Sequence, residues 1–147
     1  MIRPFSLSDL EPILQIESQS FPKSPYDWTT FLSLHHFYPE TFLVCLNTNH
    51  RQKEEKILGY IIFSGDGHII SIAVHPQYRK KKIGTQLVQR ALKASRSKKV
   101  WAEVRRSNQG AQTFYFKMGF RITNMVPNYY GSEDALIMER VLPVLEE

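Results

Sequence analysis

Apolar residues along this chain follow two rhythms, one of strands and one of helices. TFLVCL, ILGYIIF and HIISIAV, between residues 41 and 74, are short β-rich runs bounded by polar or glycine-containing segments. Polar NTNHRQKEEK separates the first two and predicts an exposed hairpin loop; SGDG joins the next two as a tight turn, giving an antiparallel meander. Upstream, IRPF reads as a short first strand. Ser8 and Glu11 have capping-box spacing and open a helix with Leu10, Ile13, Leu14 and Ile16 on its apolar side. Pro22 and Pro25 force SFPKSPYDW out of helical geometry, and a second helix is expected from about Thr29 to Phe37. His75-Pro76 ends the third run, after which Ile83, Leu87, Ala91 and Leu92 recur at helical spacing. VWAEV is a further strand. Asn108 to Met118 predicts a helix with Ala111, Phe114, Tyr115 and Met118 on one face and Gly119 at its left-handed end. FRITNMV and DALIMERVL close the chain as strands. The order β-α-α-β-β-β-α-β-α-β-β is an α+β mixture around a central sheet, and order alone fits several folds. No repeat, low-complexity tract or linker divides residues 1–147, so one domain is expected.

A hydrophobic content of 42% in 147 residues is enough for a core without staples. No window approaches the ~18 apolar residues of a membrane span. MIRPFSLSDL lacks the features of a secretory signal. The single cysteine, Cys45, lies in the apolar run FLVCL and reads as a small buried hydrophobe. A soluble, cytoplasmic protein is expected. The net charge is +5, unevenly spread: Gly67 to Ala102 holds nine basic residues and no acidic one, while the remainder holds ten basic and fourteen acidic. Such a segment attracts a polyanion, either nucleic acid or a phosphorylated cofactor.

Within that segment, SIAVHPQYRKKKIGTQLVQRAL runs from strand through basic loop to helix start. Unpaired amides at a helix N-terminus, with Arg79, Lys80, Lys81 and Lys82 around them and Gly84 permitting close approach, suit a diphosphate. The plainer reading is a solvated basic helix start. Val74-His75-Pro76-Gln77-Tyr78-Arg79-Lys80-Lys81-Lys82-Ile83-Gly84 resembles the acetyl-CoA signature V-x-P-x-Y/F-R-x-x-G-x-G of the GNAT superfamily. The resemblance implies the GNAT fold, a mixed central sheet of about seven strands with helices on both faces. It also implies that Arg79 and the amides of Lys80, Lys81, Lys82, Ile83, Gly84 and Thr85 hold the pyrophosphate. The backbone of Ile72, Ala73 and Val74 would pair with the pantetheine arm as an added strand does. Lys82 departs from the pattern, standing where the family has its first glycine; its Cβ limits approach, and a positive φ would be strained there.

Acetyl transfer to an amine needs an acceptor for the amine proton, a donor to the carbonyl oxygen and an acid for the departing thiolate. Glu103 in VWAEV, Asn108 at a helix start and Tyr115 on a helix face are each unremarkable alone: an outward charge, an N-cap and a core aromatic. As E-V-R-x-S-N-x-x-A-x-x-x-Y-x-x-x-G-F, they resemble the second signature of the ribosomal-protein N-terminal alanine acetyltransferase branch. That resemblance implies Glu103 as base, Tyr115 as acid and Asn108 at the pantetheine arm. It further implies direct attack in a ternary complex, with the Val74 N–H as oxyanion donor. Asn128 to Met138 (NYYGSEDALIM) is similar to the loop with which N-terminal acetyltransferases hold the peptide, through Tyr129 and Tyr130; Phe21, Pro22 and Tyr26 would line the other wall. A lysine side chain or small amine as acceptor stays open, as do a basic nucleic-acid-binding module and an inactive coenzyme A-binding domain. No metal site is expected: His35 and His36 are adjacent, and His50, His68 and His75 are scattered among unrelated elements.

Overall fold

The computed structural model describes residues 1–49 and 54–143. Seven strands and four helices alternate along it. They are β1 (Ile2–Pro4), α1 (Leu10–Ser20), α2 (Trp28–Phe37), β2 (Phe42–Asn49), β3 (Glu54–Phe63), β4 (His68–Val74), α3 (Ile83–Ala94), β5 (Lys99–Arg105), α4 (Gln109–Lys117), β6 (Arg121–Val126) and β7 (Ala135–Val141). The strands hydrogen-bond in the order β1-β2-β3-β4-β5-β7-β6. The β1/β2, β2/β3, β5/β7 and β6/β7 pairs are antiparallel, whereas β4 and β5 run parallel at His68↔Trp101 and Ile69↔Ala102. This is the mixed seven-stranded sheet that the resemblance implies. No helix among the described residues is long and apolar enough to cross a membrane.

Contacts group the chain into two compact units. The first takes in Met1–Phe63 and Ser71–Arg90. Its core carries Phe5 stacked on Phe42 at 4.2 Å and Phe31 edge-on to Tyr60 at 5.6 Å, a favoured aromatic geometry. The helix entry differs from the expected Ser8–Glu11 box. Ser6 N–H donates to Asp9 Oδ2 at 2.9 Å, and a single 3-10 turn (Leu7–Asp9) leads into α1. Arg3 of β1 decides the matter: its guanidinium grips both oxygens of the buried Asp9, at 2.7 and 2.9 Å. Burial pushes the Asp9 carboxyl up, but the bonds from Arg3 and Ser6 outweigh it and hold it below its ordinary value. Asp27 caps α2, accepting the Thr30 N–H at 2.9 Å, so that helix starts at Trp28. The β2/β3 ladder extends to Asn49↔Glu54, further than the apolar runs predict, because ladder bonds are made by backbone. Of the expected hairpin loop, residues 50–53, with His50, lie outside the described residues. Cys45 is buried, and burial raises its thiol pKa.

The second unit takes in Ser64–Ile70 and the chain from Ala91 onward. Gly67 turns the chain into β4 with φ +101°; a Cβ there would lie 2.1 Å from the Lys99 carbonyl, so only glycine fits. Along β5, Val100, Ala102 and Val104 are buried, which puts Trp101, Glu103 and Arg105 on the opposite, half-buried face. The Asn108 side chain caps α4 by accepting the Ala111 N–H at 3.0 Å. Gly119 ends that helix at φ +88°, as its position in the sequence predicts.

Candidate active site

Glu103 in the second unit is not the isolated strand charge that alternation suggests. His68, at the start of β4, donates from Nε2 to Glu103 Oε2 across 2.8 Å. The imidazole lies flat on Trp101, with ring centroids 5.1 Å apart and planes 7° off parallel. The register explains the group: His68 faces Trp101, and Glu103 is two residues further along the same face of β5. Burial is the largest influence on Glu103 and pushes its carboxyl up. The hydrogen bond and charge of His68 together outweigh it, leaving the group below its ordinary value and ionised at neutral pH. His68, placed by its sequence context among unrelated elements, is thus the partner of the candidate base. Among the described residues no three His, Cys, Asp or Glu side chains gather as metal ligands.

Tyr115 is buried against Phe114 and Phe120, with ring centroids 5.2 and 5.0 Å away. Burial, then the negative charge of Glu103, then Tyr130, push its pKa well above the ordinary tyrosine value, so the phenol stays protonated across the working range. No buried side-chain polar atom among the described residues lacks a partner. Tyr129 is 51% exposed and meets Tyr130 edge-on at 4.9 Å; burial and then the Glu103 charge raise its pKa too. The Arg105 guanidinium lies over the Tyr130 ring, 4.0 Å from its centre.

The acidic pair following these tyrosines holds their loop in shape. Glu133 takes Arg105 at 3.1 Å through one oxygen and the Ser107 N–H at 2.8 Å through the other. Asp134 accepts the Asn128 N–H at 3.0 Å, which accommodates the positive φ of 54° at Asn128, and pairs with Arg106 at 3.3 Å. The E-D of NYYGSEDALIM therefore fixes the tyrosine loop to the corner between β5 and α4. Asn108 is spent in part on its cap, since its side-chain carbonyl accepts the Ala111 N–H.

In the first unit, the segment from Arg79 to Lys82 has a backbone suited to an anion. Lys80 and Lys82 both adopt left-handed φ, 65° and 64°, on either side of Lys81. Alternating hands turn successive N–H groups toward one concave side. The first intrahelical bond of α3 is Gln86 N–H to Lys82 O, at 3.0 Å, so the amides of Ile83, Gly84 and Thr85 precede the ladder. The Lys80, Lys81 and Lys82 side chains are exposed around it. These donors fit a diphosphate. The strain foreseen at Lys82 is real, and Lys80 shares it. Lys56, expected in the polar loop, stands on β3 and adds a cation: its ammonium and that of Lys81 lie 5.0 and 5.4 Å from the Tyr78 ring centre. Arg79 reaches elsewhere, donating to Val74 O and Ser20 Oγ, both at 3.2 Å, and so tying the end of β4 to the end of α1.

Ala73 is buried while Ile72 and Val74 are half-exposed. Gly59 on β3 permits this strand spacing: a Cβ there would stand 2.8 Å from Ala73 O. Phe21 closes α1, its N–H bonding Glu17 O at 2.8 Å; Pro22 is exposed, and half-buried Tyr26 meets Phe31 edge-on at 5.8 Å.

Known proteins resemble this chain over nearly its whole length. The sequence model of the acetyltransferase (GNAT) family matches residues 10–120. An uncharacterized N-acetyltransferase of Methanocaldococcus jannaschii is 35% identical, over 97% of this chain and 92% of its own. An N-alpha-acetyltransferase of Sulfurisphaera tokodaii is 32% identical, over 93% and 90%. The crystal structure of the ribosomal-protein-S18-alanine N-acetyltransferase from Escherichia coli superposes with a TM-score of 0.76 at 26% identity, covering 100% of this chain and 96% of that one.

Proposed function

The chain belongs to the GNAT family of acetyltransferases, and from that premise we propose that this acyltransferase acetylates the N-terminal α-amine of a protein, in the manner of the ribosomal-protein alanine enzymes. The observation that carries the reading is the ionised Glu103 carboxylate held by His68, with the protonated Tyr115 phenol in its field and the tyrosine pair 129–130 beside them.

Bound acetyl-CoA supplies a thioester carbonyl activated for attack. The amides of Lys80 to Thr85 would hold its diphosphate, with Lys80, Lys81 and Lys82 adding charge, and the Ile72–Val74 backbone would hold the pantetheine arm. The Val74 N–H donates to the carbonyl oxygen as negative charge grows there. Glu103 accepts one proton from the attacking nitrogen. A free α-ammonium has a pKa of about 8, so a low-pKa carboxylate is a poor base toward it. That transfer becomes favourable as the C–N bond forms and the nitrogen grows more acidic. Tyr115 gives one proton to the sulfur as the C–S bond breaks. Tyr129 and Tyr130 receive the first residues of the peptide, their rings covering it and their hydroxyls bonding its backbone.

Relatives that act on protein N-termini, and a tyrosine loop braced by Glu133 and Asp134, support a peptide acceptor. Coenzyme A release is the test. An alanine-initiated peptide should turn over with acetyl-CoA, while spermine and an aminoglycoside at equal concentration should not. The reverse ranking would overturn the peptide assignment.

A further inference from the structure

Glu17 sits on the core face of α1 with Ile13 and Ile16, 2% exposed, where a carboxylate is costly unless bonded. The acetylation chemistry makes no use of it. Both its oxygens are occupied. Oε1 accepts the Tyr26 N–H at 3.1 Å, and Oε2 accepts the hydroxyl of Tyr60, itself fully buried on β3. The Tyr60 oxygen also shares a hydrogen bond with Ser71 Oγ at 2.8 Å. Tyr60 has one proton, committed to Glu17, so Ser71 is the donor there. The chain of bonds thus runs from Ser71, next to Ile72–Val74, through Tyr60 to Glu17, and out to Tyr26.

Tyr26 lies nine residues beyond Glu17, across a connection with two prolines. The backbone carbonyl of Glu17 ends α1 by accepting the Phe21 N–H, while its side chain catches the far end of the same loop. We infer that Glu17 is a positioning residue for acceptor specificity: it anchors the Phe21–Tyr26 wall to the strand that precedes the pantetheine backbone, and so sets the affinity for the incoming peptide. This rests on the peptide-acetylating reading above. Burial outweighs the Tyr60 and Tyr26 bonds and leaves the Glu17 carboxyl above its ordinary value, the two bonds limiting the rise.

The test sets Glu17→Leu against Glu17→Gln. Glutamine can take the Tyr26 N–H on its oxygen and donate from its amide to the Tyr60 oxygen, with the Tyr60 proton turned to Ser71. Leucine can do neither. Glu17→Leu should raise the KM for an alanine-initiated peptide by roughly tenfold or more, the scale of a lost bond to a charged group. Its Kd for coenzyme A should stay within about twofold of wild type, and Glu17→Gln should restore most of the peptide KM. Amide hydrogen exchange at Tyr26 should quicken in the leucine variant and not in the glutamine one. If the leucine variant fails to fold, as read by circular dichroism, Glu17→Asp takes its place. The carboxylate is withdrawn there by one C–C bond, and the same split between peptide and cofactor constants is expected. An unchanged peptide KM, or equal losses for peptide and coenzyme A, would overturn the inference while leaving the acetylation reading intact. A wild-type enzyme inactive on every α-amine peptide would overturn both.

Discussion

Removing the imidazole of His68 leaves burial as the main influence on Glu103. In the native protein burial raises that carboxyl, and the bond and charge of His68 more than cancel the rise. The pair is half-buried, with side-chain exposures of 30% for His68 and 19% for Glu103, so solvent screens it in part. A hydrogen bond to a charged group contributes about 1.5–3 kcal/mol, and one pH unit corresponds to about 1.4 kcal/mol. His68→Ala should therefore move the ionisation limb assigned to Glu103 upward by roughly one to two pH units, past the ordinary carboxylate range. The assay is kcat/KM for an alanine-initiated peptide from pH 5 to 9 at saturating acetyl-CoA. Below about pH 8 the rate falls tenfold per unit as the α-amine protonates. With Glu103 held low, wild type should keep that slope of one to the acid end. His68→Ala should steepen to a slope of two in the lower part of the range, and His68→Gln, which keeps a donor, should lie between.

Stability follows with a definite sign. The depressed Glu103 of the native protein contributes stability above its unfolded pKa, and that stability is lost as pH falls through the folded value. In His68→Ala the folded pKa lies above the unfolded one, so the variant's deficit in urea melts should be largest at neutral pH and shrink as pH falls through the variant's raised pKa and then the native one. A variant profile parallel to wild type at every pH would refute the proposal that His68 acts through Glu103.

Tyr115→Phe should lower kcat by about 10²–10⁴-fold, the range for a lost general acid, with coenzyme A affinity in calorimetry nearly unchanged. Lys82→Gly removes a left-handed strain of about 1 kcal/mol but loosens the unfolded chain by a similar amount. Its thermal midpoint should scarcely move, while the salt dependence of its acetyl-CoA KM should flatten because a cation is lost. Gly59→Ala would bring a Cβ to 2.8 Å from Ala73 O and 3.3 Å from Val74 Cα, both backbone atoms. It should cost about 1–3 kcal/mol in denaturant titration and raise the acetyl-CoA KM along with it.

The strands were legible because their apolar runs are bounded by turn residues, and α4 because Asn108 and Gly119 mark its two ends. The family resemblance links Glu103 and Tyr115, and a single strand-turn-helix carries both. What stayed hidden depends on residues far apart in the chain. Ser6–Asp9 and Ser8–Glu11 offer the same spacing, and Arg3 on β1 chooses between them. His68 meets Glu103 only through the parallel register of β4 on β5, which no local pattern encodes. Glu17 reads as the polar neighbour of an apolar stripe until Tyr60 and Tyr26 close on it. The Lys82 strain was visible as a missing glycine, whereas nothing in the sequence marks Lys80 as its twin.

The most direct measurement is where the acetyl group goes. A peptide carrying both a free alanine α-amine and an internal lysine, incubated with enzyme and acetyl-CoA, can be fragmented in a mass spectrometer to locate the added 42 mass units (roughly, the acetyl increment in amine modification). N-terminal acetylation requires modification at the first nitrogen, abolished when that nitrogen is blocked beforehand. Acetylation of the lysine side chain, undiminished by the block, would contradict it.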